Sequence, residues 1–177
     1  MKKRVMLLVL AGILSIAMSY AQTVTKSANG AIIDASVIPH TKVKKAKSTD
    51  GTNNTLGLNW VNNIGSAVNN EKVYYKLEVY KSDDNTSSNW LTAVNLCKDL
   101  PVDGSGWRLP TQRELMLIWV LKPELENIGG FVSFSANSYW SATEDYAKLS
   151  WVVDISTGFM RGENKANGYR ARCVRDL

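Results

Sequence analysis

The order of structure written into this chain is that of an α+β domain: a strand, two helices, then several strands, with no alternation of β and α units. Three observations carry that reading. Val73-Tyr74-Tyr75-Lys76-Leu77-Glu78-Val79-Tyr80 is β-branched and aromatic with partial alternation, as a strand requires. Two helical stripes with start signals follow it. After Gly129-Gly130 the texture turns to short runs such as Leu149-Ser150-Trp151-Val152-Val153-Asp154-Ile155, in which Leu149, Trp151, Val153 and Ile155 share one face.

The elements can be justified in order. Ser82-Asp83-Asp84-Asn85 is turn chemistry after the first strand. A helix is predicted from Ser87 or Ser88, either of which can cap it. Trp90, Ala93, Val94, Cys97 and Leu100 then fall on one face, so Cys97 points inward. Pro101 and Asp103-Gly104-Ser105-Gly106 end it. Leu109-Pro110-Thr111-Gln112-Arg113-Glu114 marks a second helix: Thr111 at the N-cap and Glu114 three residues on form a capping box. Leu115, Ile118 and Trp119 continue its buried side, and Pro123 stops it or starts the next turn. Ser138–Thr143 is a further strand, Ser156-Thr157-Gly158 a turn, 162–168 a polar loop, and Tyr169–Arg175 the closing strand with Tyr169, Ala171 and Cys173 on one face.

Three segments are predicted. Residues 1–21 read as a cleavable export signal: a cationic Lys2-Lys3-Arg4, an apolar run from Val5 to about Ala17, and small residues at Ser19 and Ala21. The run is short for a bilayer span, which takes about 20 apolar residues. The chain carries a formal net charge of +5. Three of its positive charges leave with the signal, and no dense basic stripe remains on the folded part for nucleic acid, the basic run Lys42–Lys47 lying in the polar segment. Residues 22–55, rich in Thr, Ser, Asn and Lys, read as a flexible polar and basic segment. Its apolar island, Ala31–Ile38, is a candidate strand that pairs with something else. Residues 56–177 form the folded domain and hold all six Trp.

The only His, His40, lies in the polar segment, so no Cys-His or Ser-His pair is expected in the domain. Zinc sites draw on several His or Cys, which this chain cannot supply. Asp83-Asp84-Asn85 and Glu144-Asp145 fit a turn and a hairpin tip better than a calcium shell of six to eight oxygens. Glu114 is accounted for by its cap. The expectation is no catalytic residue, no metal and no cofactor. Cys97 and Cys173 are the only cysteines. An even count in an exported chain suggests pairing, two separate buried thiols being the alternative.

Trp90…Ala93…Cys97, Gly106-Trp107-Arg108-Leu109-Pro110-Thr111-x-x-Glu114-Leu115, Tyr139-Trp140-Ser141-Ala142-Thr143-Glu144 and Arg172-Cys173-Val174-Arg175 occur in that order. Together they resemble the Lcl C-terminal domain family, named for a collagen-like bacterial adhesin, within the C-type lectin-like and sulfatase-modifying-factor-like folds. The resemblance covers roughly residues 60–177. It implies a C-type lectin-like fold: two helices, a central twisted antiparallel sheet, a first strand meeting the last, and a disulfide from the first helix to the final strand. Cys97 and Cys173 occupy those two elements. The Glu-Pro-Asn or Gln-Pro-Asp loop and the Trp-Asn-Asp strand of calcium-dependent sugar-binding members are absent. The reactive cysteine pair of the formylglycine-generating enzymes has no counterpart beyond the two structural cysteines.

The segments Phe131–Tyr139, Glu144–Lys148 and Phe159–Gly168, which connect strands, are the expected recognition surface, since loops on a rigid scaffold commonly carry binding. The candidates are Tyr139, Glu144, Asp145, Tyr146, Phe159, Arg161, Asn164, Asn167 and Tyr169. The expected function is that of an exported bacterial binding module of the envelope or medium, not an enzyme, whose partner is an extracellular glycan, a matrix polymer or a surface protein. The alternative is a subunit of a surface assembly such as a fimbrial tip. An enzyme of the sulfatase-modifying-factor class ranks below both.

Overall fold

The structure, a computed structural model, describes residues 23–35, 76–84, 86–146 and 148–177, without the side chain of Tyr146. The predicted export signal, the basic run at 42–47, His40 and Trp60 lie outside these residues, as does the expected domain start at Leu56.

Among the described residues ten elements follow one another: β1 (Thr23–Lys26), β2 (Gly30–Asp34), β3 (Lys76–Tyr80), α1 (Trp90–Lys98), α2 (Gln112–Val120), α3 (Lys122–Glu126), β4 (Ser138–Tyr146), β5 (Leu149–Asp154), β6 (Met160–Asn164) and β7 (Val174–Asp176). They build two antiparallel sheets, one ordered β1-β2-β3-β7 and the other β4-β5-β6. The mixed α+β class is as expected, and β3 does meet β7, Val79 opposite Val174.

The smaller sheet is covered on both faces, because neighbouring strand residues point to opposite sides. Tyr139 and Val153 face one core with Leu77, Val79, Leu115, Ile118 and Leu125. Trp140 and Val152 face a second with Trp90, Trp107, Ala171 and the cysteines. The Cys97–Cys173 disulfide is formed, with Cα atoms 5.3 Å apart. It ties α1 to the residue just before β7.

Four expectations are corrected. Residues 23–35 are not part of a flexible segment: β1 and β2 form a hairpin docked on β3, and Ala31, Ile33 and Ala35 are fully buried. The apolar island therefore pairs on both sides within its own chain. The cap of α1 is Asn89, whose side chain accepts from the Thr92 amide at 2.9 Å. Ser88 is drawn instead into a bridge with Tyr169. There are three helices among the described residues, not two: α2 ends at Val120, and Pro123 lies in the first turn of α3, where a missing N–H costs nothing. The closing strand is only Val174–Asp176, because Tyr169 and Arg170 bridge instead to Ser88 and Tyr139.

The capping box of α2 forms as predicted. Thr111 Oγ1 accepts from the Glu114 amide, and Glu114 accepts from the Thr111 amide at 2.8 Å. The same carboxylate takes a bidentate pair from Arg108, both bonds 2.7 Å. Arg108 also reaches Asp176 at 2.8 Å, which fastens α2 to the C-terminal strand.

Candidate binding surface

The turn from β5 to β6 begins with Asp154, whose Oδ1 accepts from the Ser156 amide at 2.9 Å, the Ser156 hydroxyl and the Thr157 amide. Those bonds, the Ser156 hydroxyl foremost, hold the Asp154 carboxyl below the usual carboxylate range. Gly158 has φ +77°, and a Cβ there would stand 2.8 Å from two Trp119 ring carbons. Glycine is thus needed for the backbone and for the contact. Its absence of side chain lets the turn lie against the half-buried Trp119 of α2 and joins hairpin and helix into one surface.

That surface is apolar where it faces out. Phe159 is 60% exposed, Val120 59% and Met160 39%. Two open grooves run along it. One of about 500 Å³ is lined by Trp119, Val120, Lys122, Pro123, Ile155 and Ser156, among others. The other, about 400 Å³, lies between Gln112, Arg113, Met116 and Met160. Gln112 Nε2 donates to Met160 Sδ at 3.3 Å, which fixes the thioether beside the helix.

The opposite face of β6 is polar. Arg161 Nε lies 2.6 Å from Glu163 Oε1, its Nη2 donates to Ser138 Oγ at 3.3 Å, and its guanidinium sits 5.7 Å from the Tyr169 ring centroid. Asn167 Nδ2 donates to Glu163 Oε2 at 3.1 Å. Tyr169 in turn packs edge-on to Trp140 at 5.0 Å. The Glu163 bond holds the Arg161 pKa up, and the Arg161 bond holds the Glu163 carboxyl down. A planar, pre-paired charge cluster therefore lies across one strand from an apolar rim.

The sequence candidates divide accordingly. Phe159, Arg161, Asn164, Asn167 and Tyr169 lie on or beside β6, and Asp145 is exposed at its flank, with Oδ2 near Gly162. Two others are not surface groups. Tyr139 is fully buried; its hydroxyl donates to Asp83 Oδ2 at 2.5 Å, and burial pushes the phenol pKa well up. Glu144 is largely covered and pairs with Lys165 at 2.8 Å. Tyr146 closes β4, its side chain outside the description. Met160 entered only as part of the expected Phe159–Gly168 segment, and Met116 and Val120, on the outer side of α2, were missed. Glu163 and Lys165 were expected only as part of the Phe159–Gly168 segment; Glu163 is held by its near neighbours Arg161 and Asn167, whereas the partner of Lys165, Glu144, is 21 positions away.

The acidic run after β3 is used internally. Asp83 accepts from Arg172, Tyr139 and Ser135, and Asp84 accepts from the Ala171 amide at 2.8 Å. Burial raises the Asp84 pKa. Among the described residues, no group of three or more His, Cys, Asp and Glu is placed to hold a metal ion, and no helix is long and apolar enough to cross a membrane.

Two antiparallel sheets, three helices and one buried disulfide, with a half-apolar, half-polar rim at an edge strand, define a mixed α+β domain with an outward-facing surface. The chain belongs to the Lcl C-terminal domain family, whose model matches residues 49–175. The β1–β2 hairpin lies ahead of that match and extends its larger sheet. No curated protein matches the chain.

Proposed function

We propose that this protein is an exported binding module of C-type lectin-like architecture that attaches through the β6 rim to a glycan, matrix polymer or protein outside the cell. The observation that carries the reading is the exposure of Phe159 next to Met160 and of Val120, with Val120 and Met160 each lining an open groove, on a platform closed by a disulfide. Exposed apolar patches with polar borders mark interaction sites more often than chance surface. Aromatic groups dominate such contacts because they bury large area at small entropic cost. Export is supported by the leader pattern of residues 1–21 and by a disulfide, which persists in oxidising compartments. The module acts by adhesion and not by turnover. The test is a glycan and glycosaminoglycan array read together with cell-binding assays of the mature, oxidised protein. Retention on a defined subset supports the reading; silence in both from a folded sample contradicts it.

A second reading, a subunit of a surface assembly, is favoured by one observation. Among the described residues β1 is an edge strand of the larger sheet, paired with β2 on one side. Such an edge is a template for a partner's strand. Self-association or co-assembly seen by sedimentation would select this reading, and a strictly monomeric protein under all conditions would remove it.

A further inference from the structure

Two Asn-Gly pairs lie among the described residues, Asn29-Gly30 and Asn167-Gly168, and the fold treats them oppositely. Asparagine is a thermolabile residue. Its weakness before glycine is steric: with no Cβ in the way, the glycine nitrogen can reach the asparagine side-chain carbon, provided the peptide between them can rotate.

Asn29-Gly30 is held fast at the entry to β2. Gly30 is buried opposite Tyr80, and a Cβ there would collide with the Val79 carbonyl. The Asn29 carbonyl accepts from the Lys81 amide at 2.9 Å, and its Nδ2 donates to Asp103 O at 3.2 Å. Rotating that peptide would pull β2 from β3.

Asn167-Gly168 lies in the turn after β6, and both residues are exposed. The backbone is anchored on either side. The Asn167 amide donates to Asn164 O at 2.8 Å, and Tyr169 exchanges two backbone bonds with Ser88, at 3.1 and 3.0 Å. Between those anchors nothing among the described residues hydrogen-bonds to the Gly168 amide. One bond restrains the side chain, from Asn167 Nδ2 to Glu163 Oε2 at 3.1 Å. Neither a positive φ nor packing requires glycine at 168, since a Cβ there would meet Ser87 Cβ at an ordinary 3.5 Å.

We propose that Asn167 is a deamidation site of the folded protein, selected over Asn29 by this difference. The Gly168 nitrogen gives its proton to solvent base and attacks Asn167 Cγ. The new C–N bond closes a succinimide ring, the bond from Cγ to Nδ2 breaks, and ammonia leaves. Water then opens the ring at either carbonyl. Attack at Cγ yields Asp; attack at the backbone carbonyl yields isoaspartate, whose chain runs through the former side chain and is one methylene longer.

Either product replaces a donor by a carboxylate beside Glu163, and like charges repel. The Asn167–Glu163 bond is lost, and the polar side of the rim, where Arg161 pairs with Glu163, gains a negative charge. The longer isoaspartyl backbone also strains the span from Asn164 to Tyr169. The modification stands independently of what the rim binds.

The test incubates the intact oxidised protein at mildly alkaline pH and follows both sites by peptide mapping with mass spectrometry, with ion exchange to read the added charge. Asn167 should convert to a mixture of Asp and isoaspartate several-fold faster than Asn29. In reduced, denatured protein the two sites should convert at similar rates. In Gly168→Ala, conversion at Asn167 should fall several-fold, because the new Cβ crowds the attacking nitrogen. Equal rates at the two sites in the folded protein overturn the inference. So does an Asn167 that stays intact, or an unchanged rate in Gly168→Ala.

Discussion

Arg172 Nε lies 2.6 Å from Asp83 Oδ1, joining the residue before the disulfide's second cysteine to the turn that follows β3. Arg172 is fully buried, and its guanidinium also donates to Tyr80 O and Val132 O and stacks 4.1 Å from the Phe134 ring centroid. Asp83 in turn accepts from Tyr139 and Ser135. One ion pair thus organises the turn after β3, the loop before β4 and the approach to β7.

Replacing Asp83 by Asn leaves that guanidinium buried without its anion. Loss of one partner from a buried pair typically costs about 3–5 kcal/mol. Chemical denaturation of Asp83→Asn should show a loss of this order. Tyr139→Phe, which removes one hydrogen bond to the same carboxylate, should cost about 1–2 kcal/mol.

The disulfide closes a loop with a sequence separation of 76 residues. Chain entropy alone gives about 4–5 kcal/mol for a loop of that length. Cys97→Ala with Cys173→Ala should therefore melt far below the wild type in a thermal scan. Cys97 is fully buried and Cys173 2% exposed, so a mild reductant should act slowly on the folded protein. Mass spectrometry after timed thiol labelling checks this.

The N-terminal hairpin should be inseparable from the domain. Ile33 is fully buried in the larger core, and Ile33→Ala should cost about 2–5 kcal/mol in denaturation. Removing residues 22–35 should expose β3 and abolish cooperative unfolding, although the family match begins only at residue 49.

Gly158→Ala should weaken the rim's support. The substitution places a Cβ in a left-handed backbone and against the Trp119 ring. A strained position of this kind costs about 1–3 kcal/mol. Trp119 fluorescence should shift in the variant as the turn lifts from α2.

The sequence was most informative where a signal was local. The capping box and the α1 stripe each rest on residues within one turn or helix, and they appear as expected; β5 forms, but it also buries Ser150 and Val152 on the face the alternation left out, because the sheet is covered on both sides. Asn89 displaced Ser88 as the cap because Ser88 pairs with Tyr169, a partner 81 positions away that no local pattern reveals. The hairpin at 23–35 was hidden by its polar surroundings; its burial is carried mainly by Ala31, Ile33 and Ala35, with Val24 packed against the same core. Arg172 reads as an exposed charge in a closing strand, and its inward turn depends on Asp83 and two aromatic rings from other elements. The apolar rim was half legible. Phe159 was picked out as a loop residue, but Val120 and Met116 belong to the outer side of a helix whose neighbour could not be known.

The most direct test compares Phe159→Ala with the wild type on whatever array or cell surface retains the mature protein. Phe159 is largely exposed, so its stability should change by no more than about 0.5 kcal/mol. Retention should fall at least about tenfold, as for an aromatic anchor. Equal retention by a folded variant would contradict the assignment of the β6 rim as the binding surface.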